Sequence, residues 1–281
     1  MSTDDFQQTK PVFGVVQLLP LPGSAGWAAD LDALRLRAEQ EATALATGGV
    51  DGLLVENTFD AETRLERLDT AGAVAMALIL RRLRQLTGLP IGVSVLPNDP
   101  ESALALAMLV GASFIRVPVW LGGRISEQGL ISSRAAELLA YKETLRVQHL
   151  PPIYTDVTLD HLVPGTGARQ AGLEGLEVLA IRLEKQGLVS GIILSADECP
   201  PDAVTAIRQR CRLPVWVSGS QLEEATVSDY HPVSDGLLLG PSLRKTSPVS
   251  TVPTIDPLKV EAVLKRLRQL RGTASAVVSP D

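Results

Sequence analysis

A chain of 281 residues has room for one large domain or two modest ones. Hydrophobic residues at 45% and charged residues at 21% match globular averages and exclude a disordered chain. Its 26 Lys+Arg against 32 Asp+Glu leave a net charge of −6, which argues against the basic face of a nucleic-acid-binding protein.

Met1 to Lys10 is polar and acidic, without the basic start or apolar stretch of a signal peptide, and reads as a disordered tail. From Pro11 onward, apolar runs of strand length alternate with amphipathic stretches of helix length. Val12 to Leu19 precedes a Pro/Gly loop and the helical segment Leu31 to Thr47. Val50 to Glu56 leads through Asn57 to Ala61 into the helix Thr70 to Thr87. Its apolar run Ala71 to Leu80 is far short of the roughly 20 residues that cross a bilayer, so a soluble protein with at most peripheral membrane contact is expected. Pro90 to Leu96 pairs with the helix Pro100 to Val110, and Phe114 to Val119 with Ser132 to Leu145. Ile153 to Val157 then precedes Leu173 to Gln186, and Gly191 to Leu194 precedes Pro200 to Arg210. Pro214 to Ser218 and Gly236 to Leu239 close the series, with helices over Leu222 to Asp229 and Pro257 to Arg271. Thr273 to Asp281 is small, polar and Pro-containing and reads as a second disordered tail. Cys199 and Cys211 form no disulfide framework and no zinc spacing, which suits a reduced compartment.

Eight strand–helix units without a long linker favour a single closed (β/α)8 TIM barrel over residues 11–272. Runs that are apolar throughout, such as Gly236 to Leu239, suit a parallel sheet buried on both faces. An open dinucleotide-binding sheet would need Gly-x-Gly-x-x-Gly after its first strand, and Leu19-Pro-Leu-Pro-Gly23 stands there instead.

Chemistry in such a barrel gathers at the C-terminal ends of the strands. Those ends carry Gln17, Glu56-Asn57, Asn98-Asp99, Arg116, Asp156 and Ser195, which are expected in one mouth. Glu56, Asp99 and Asp156 are carboxylates able to hold a metal through oxygen or to act as general base. Glu56 and Asp156 are the catalytic candidates, although Glu56 can equally pair with Arg116 and Asp99, before Pro100, suits a helix cap. Asp156 inside an apolar strand needs a partner, either Arg116 or a ligand anion. Seventh and eighth strands end at Gly219-Ser220 and Gly240-Pro241-Ser242. Loops in these places commonly bind phosphate through backbone N–H groups, so Gly219, Ser220, Gly240 and Ser242 are the candidate phosphate seat, with Arg244 and Lys245 nearby. Plain turn chemistry is the alternative. His149 and His231, each close to a proline, are expected to be exposed, whereas His161 follows the fifth strand on the catalytic face. Trp120 either lines the mouth or packs under its loop. No nucleophile elbow, Walker sequence or HExxH pattern occurs, and no cofactor or metal is specified.

Val12-Phe-Gly-Val-Val-Gln-Leu-Leu-Pro-Leu-Pro-Gly23, Gly49 to Asn57, Pro90 to Asp99, Phe114 to Val117, Gln128 to Ile131 and Asp235 to Lys245 together resemble the BtpA/SgcQ family. The resemblance runs from about Pro11 to about Lys265 and implies a barrel of the phosphate-binding type. It also implies a role like that of the family's cyanobacterial founder, a photosystem I biogenesis and stabilisation factor on the cytoplasmic face of the thylakoid membrane. Glu56, Asn57, Asn98, Asp99, Arg116, Asp156, His161, Gly219, Ser220 and Ser242 follow the family pattern. Gln17 stands where the family usually has His, Pro118 where it has Asn, Asp160 where it has Lys, and Ala196 where it has Gly. Gln17 does not titrate and Asp160 inverts a charge, so weaker catalysis is expected than in relatives that keep the pattern. Asp160 is expected to favour a protonated His161 beside it. Alternatives to the photosystem role are a sugar-phosphate or nucleotide-type enzyme or binder, and a pseudoenzyme scaffold. Partners consistent with these readings are a phosphorylated small molecule, photosystem I or its assembly factors, and a second copy of the chain.

Overall fold

Thirteen strands occur among the described residues. In chain order the first seven are β1 (Val12–Gln17), β2 (Gly52–Glu56), β3 (Ile91–Ser94), β4 (Phe114–Val117), β5 (Gly123–Ser126), β6 (Gly129–Ser132) and β7 (Ile153–Val157). The remainder are β8 (His161–Leu162), β9 (Gly191–Ser195), β10 (Val215–Ser218), β11 (Gly236–Leu239), β12 (Arg244–Ser247) and β13 (Ser250–Ile255). The structure is a computed structural model and describes residues 10–60, 67–126, 129–162, 172–247 and 250–276. Eight strands close a ring in the order β1-β11-β10-β9-β7-β4-β3-β2, with every pairing parallel. This is the (β/α)8 barrel that the alternating pattern predicts.

Side chains alternate across each strand, so Val12 and Val16 of β1 face the helices while Phe13 and Val15 face the barrel axis. Inside, Phe13, Phe114, Tyr154 and Trp216 make an aromatic floor, with Phe13 and Phe114 edge to face at 5.1 Å and Tyr154 stacked on Trp216 at 4.1 Å. Each ring lies over a glycine on the neighbouring strand: Phe13 over Gly52, Phe114 over Gly92, Tyr154 over Gly191 and Trp216 over Gly236. A methyl group on any of these glycines would overlap the ring beside it. Val15, Leu54, Ile193 and Leu238 extend the interior cluster. Polar residues occupy the C-terminal ends.

Among the described residues the α-helices are α1 (Leu31–Gly48), α2 (Thr70–Thr87), α3 (Pro100–Val110), α4 (Ala135–Thr144), α5 (Leu173–Gln186), α6 (Pro201–Arg210), α7 (Val227–Val233) and α8 (Pro257–Ala276). Asp30, Asp69 and Asp99 cap the first three through the backbone N–H groups of Ala33, Ala71 and Ser102. Gly49, Gly88 and Gly111 end them in the left-handed conformation. Such capping explains why the sequence places these boundaries closely.

The structure departs from the sequence reading in four places. Gly129–Ser132 pairs antiparallel with Gly123–Ser126, so α4 begins at Ala135 rather than Ser132. Near α7, Asp197 binds the N–H groups of Ser220 and Gln221, and the Thr226 hydroxyl turns back to the Gln221 carbonyl. Turns therefore replace the helix expected from Leu222, and α7 starts at Val227. A second hairpin, β12–β13, follows the last barrel strand. Finally, α8 continues to Ala276, past the boundary expected at residue 272. Residues 1–9 and 277–281 of the expected tails, and Gln128, lie outside the described residues.

Candidate functional site

At the C-terminal ends of the barrel strands is a cavity of about 280 Å³ lined by Gln17, Glu56, Arg116, Asp156, Ser195 and Gly219 among others. These six arrive from β1, β2, β4, β7, β9 and the turn after β10, so the expectation of one shared mouth holds for them. A larger cleft of about 610 Å³ lies at the opposite end, lined by Arg208, Cys211, Pro214 and Asp235, where the strands begin. In this fold the working face is the C-terminal one, which makes the smaller cavity the candidate site.

Arg116 organises the floor of that mouth. Its Nε and Nη2 donate to the two oxygens of Asp156 at 2.9 and 2.7 Å, and its Nη1 donates to Glu56 Oε2 at 2.9 Å. Glu56 Oε1 accepts from Thr58 Oγ1 at 2.9 Å and from Gln17 Nε2 at 3.4 Å. Burial disfavours the guanidinium, but Asp156 and Glu56 outweigh it and hold Arg116 above its usual pKa. Arg116 is therefore the partner that Asp156 required. The two carboxylates expected as general bases are each bound to a permanent cation.

His161 is buried, and its Nδ1 lies 2.8 Å from Thr158 Oγ1. Burial pushes the imidazole below its usual pKa, against the pull of Asp156 and Asp160. The expected protonated histidine is thus overturned: removal from water outweighs the neighbouring carboxylates. Asp160 instead pairs with Arg124 at 3.5 Å and accepts from Thr158 Oγ1.

Three expected ligand-binding residues serve the loops. Asn98 donates to the carbonyls of Val119 and Ser132 and accepts from the Val119 N–H, all at 3.0 Å. Asn57 bonds the backbone of Leu96 on both sides of its amide, and Asp99 caps α3 while accepting from the Leu68 N–H. Trp120 is buried in the core beneath its loop.

The expected anion seat is also rearranged. The Ser220 N–H, Ser220 hydroxyl and Gln221 N–H all donate to the Asp197 carboxylate at 2.7–3.1 Å. Burial would raise Asp197, yet these donors hold it below its usual pKa. Gly219, at φ 137°, lets the turn pass against Asp197, where a side chain would collide. Gly240 lies against Val15, and Ser242 is buried with no partner for its hydroxyl among the described residues. Arg244, expected to add charge, is buried in an ion pair with Glu41 at 2.6 Å and donates to the Val15 carbonyl. Lys245 faces Asp256 instead. At Gly219-Ser220 the open phosphate seat inferred from the sequence is not formed, because an internal carboxylate already takes the Ser220 and Gln221 donors.

Arg124, Thr158, Asp197 and Glu198 line the mouth without having been singled out by the sequence reading. Asp197 and Glu198 follow β9 after the single residue Ala196, so the acidic pair after an apolar run was a readable signal. Arg124 depends on β5 pairing with both β6 and β8, a long-range contact that composition does not reveal.

Comparison with known proteins supplies the kinship. The description "BtpA family" matches residues 8–269. The chain belongs to the BtpA family. Photosystem I biogenesis protein BtpA of Synechocystis sp. is 41% identical over 269 residues, covering 94% of this chain and 90% of that protein. An uncharacterized protein of Thermococcus kodakarensis is 28% identical, covering 94% of this BtpA-family chain and 98% of its own length. Among solved structures, dihydropteroate synthase from Xanthomonas albilineans superposes with a TM-score of 0.55 at 15% identity, covering 98% of this chain and 96% of that one. Orotidine 5'-phosphate decarboxylase from Pyrococcus horikoshii gives 0.54 at 17% identity, covering 91% and 99%. Identities this low show a shared barrel and nothing of its chemistry.

Proposed function

We propose that this BtpA-family chain supports the accumulation of photosystem I and works at the surface of the thylakoid membrane. The observation that carries this reading is its identity to the Synechocystis photosystem I biogenesis protein, sustained along nearly the whole of both chains. Among the described residues no helix is long and apolar enough to cross a membrane, so attachment would be peripheral. The test is to express this chain in a Synechocystis strain lacking its own BtpA and to measure the ratio of photosystem I to photosystem II. Restoration of the ratio is expected, and an unchanged ratio overturns the role. Fractionation in the same strain should recover the chain with thylakoids at low salt and release it at high salt.

A second reading, a small-molecule site in the mouth, rests on the polar cavity at the strand ends. Its chemistry favours holding a ligand over turning one over. Glu56 and Asp156 are clamped on Arg116, Gln17 does not titrate, and the buried His161 has its Nδ1 engaged by Thr158. Assays against a panel of phosphorylated metabolites are expected to show no turnover by the unmodified chain. Turnover matching that of an active relative would overturn this second reading.

A further inference from the structure

Large apolar side chains exposed one at a time are ordinary, but on the outer flank of this barrel they gather. Val74 and Leu78 of α2 are each 57% exposed, and Met108 and Leu109 near the end of α3 are 48% and 74% exposed. Val74, Leu78 and Arg81 follow at i, i+4 and i+7, so they share one stripe of α2. Between the two helices runs a groove of about 450 Å³, lined by Ala73, Val74, Ala77, Ala105, Leu109 and Tyr141 among others.

Charge on this flank runs against the balance of the chain. Together α2 and α3 carry three arginines, Arg81, Arg82 and Arg84, and one carboxylate, Glu101, in a chain whose net charge is −6. Glu101 is buried and accepts from both Arg67 and Arg134. Asp69 caps the opposite end of α2. Arg82 turns aside to Glu39 of α1 at 2.9 Å. Arg84 donates to the Val110 and Gly111 carbonyls, and Arg81 makes no hydrogen bond or ion pair among the described residues. Two guanidinium charges beside the apolar row thus have no counter-ion among those residues.

We propose that the α2–α3 flank is the face this chain lays on a bilayer surface carrying anionic lipid. Val74, Leu78, Met108 and Leu109 enter the headgroup layer, and Arg81 and Arg84 meet the anionic headgroups. The inference deepens the membrane-surface reading proposed above and rests on it. An exposed apolar row ending in cations is the arrangement that holds a helix in the plane of an interface. A second copy suits the flank less well, because an isologous contact would set two basic faces against each other.

Flotation of the full chain with phosphatidylcholine vesicles, with and without phosphatidylglycerol, tests the assignment. The chain should float with the vesicles that contain phosphatidylglycerol, less so as salt rises, and not with phosphatidylcholine alone. Arg81→Gln should weaken partition about fivefold and Leu109→Asp about tenfold. Leu258→Asp, at an equally exposed site on α8, should leave it unchanged. Binding indifferent to both Arg81→Gln and Leu109→Asp would overturn the assignment and leave membrane attachment to another face. Equal flotation with phosphatidylcholine alone would also overturn it. No flotation with either vesicle, while thylakoid fractionation still recovers the chain, would overturn it in favour of a protein anchor, and failure of both would overturn the membrane reading as well. A dimer in sedimentation that Leu109→Asp splits would assign the flank to a second copy instead.

Discussion

Replacing Arg116 by methionine would leave Glu56 and Asp156 facing each other without a cation in a largely buried layer. Breaking a buried ion pair from one side typically costs about 3–5 kcal/mol, so urea denaturation of Arg116→Met should show a loss of that size. Adding Glu56→Gln and Asp156→Asn to it should recover much of the loss, because the stranded charges are then gone. The sequence already pointed to these three residues, since a charge ending an apolar strand has few options other than a partner across the barrel. His231 was harder to read. Its neighbour Pro232 suggested an exposed loop, yet the ring is buried and its Nε2 has no partner among the described residues. Burial, with Lys10 and Arg271 acting against Asp51, pushes the imidazole down to about 4. A folded-state value below the unfolded one means the neutral form is favoured by folding. That contribution is complete above about pH 6.5 and is lost as pH falls toward about 4. His231→Phe should therefore flatten the stability profile between those limits by on the order of 1–2 kcal/mol, measured as denaturation midpoints across the pH series.

Ring-over-glycine pairs between adjacent strands make the lower half of the barrel intolerant of small additions. Gly92→Ala would drive a methyl into the Phe114 ring, and overpacking of this kind costs about 1–3 kcal/mol. A lower thermal midpoint is expected, with a near-UV dichroism change that an alanine at the open Gly88 would not give, although Gly88 carries its own backbone strain at φ 67°. Strands and most helices were legible because each carries its own local evidence. Asp30, Asp69 and Asp99 announce helix starts, and glycines in left-handed geometry announce the ends. The hairpins lacked such evidence. β5 and β6 expose Ile125 and Leu130, so no buried face alternates, and β8 is only two residues long. Their partners are fixed by the barrel rather than by neighbouring sequence, which is why Arg124 and its contact with Asp160 escaped a linear reading. The seat after β10 failed for a related reason: Gly219-Ser220 has the composition of an anion loop, but its occupant comes from the loop after β9.

Closure of the whole ring depends on β1 meeting β11, and a buried cluster straps that seam from outside. Glu41 of α1 accepts from Arg244 at 2.6 and 2.9 Å and from Arg37 at 2.8 Å, while both arginines also reach the Pro253 carbonyl. Glu41→Ala would leave Arg244 buried and unpaired, with an expected loss of about 3–5 kcal/mol and a broader, less cooperative denaturation curve. Nothing in the sequence joins positions 41 and 244, although the barrel's closure makes their elements neighbours. The Tyr154–Trp216 stack of the floor spans β7 and β10, with β9 between them. Ring separation of 4.1 Å lets excitation absorbed by the tyrosine pass to the indole, whose burial sets a blue-shifted emission. Once the strands part, that transfer fades and the indole meets water, so the difference between wild-type and Trp216→Phe spectra is a label-free optical gauge of whether the ring is shut.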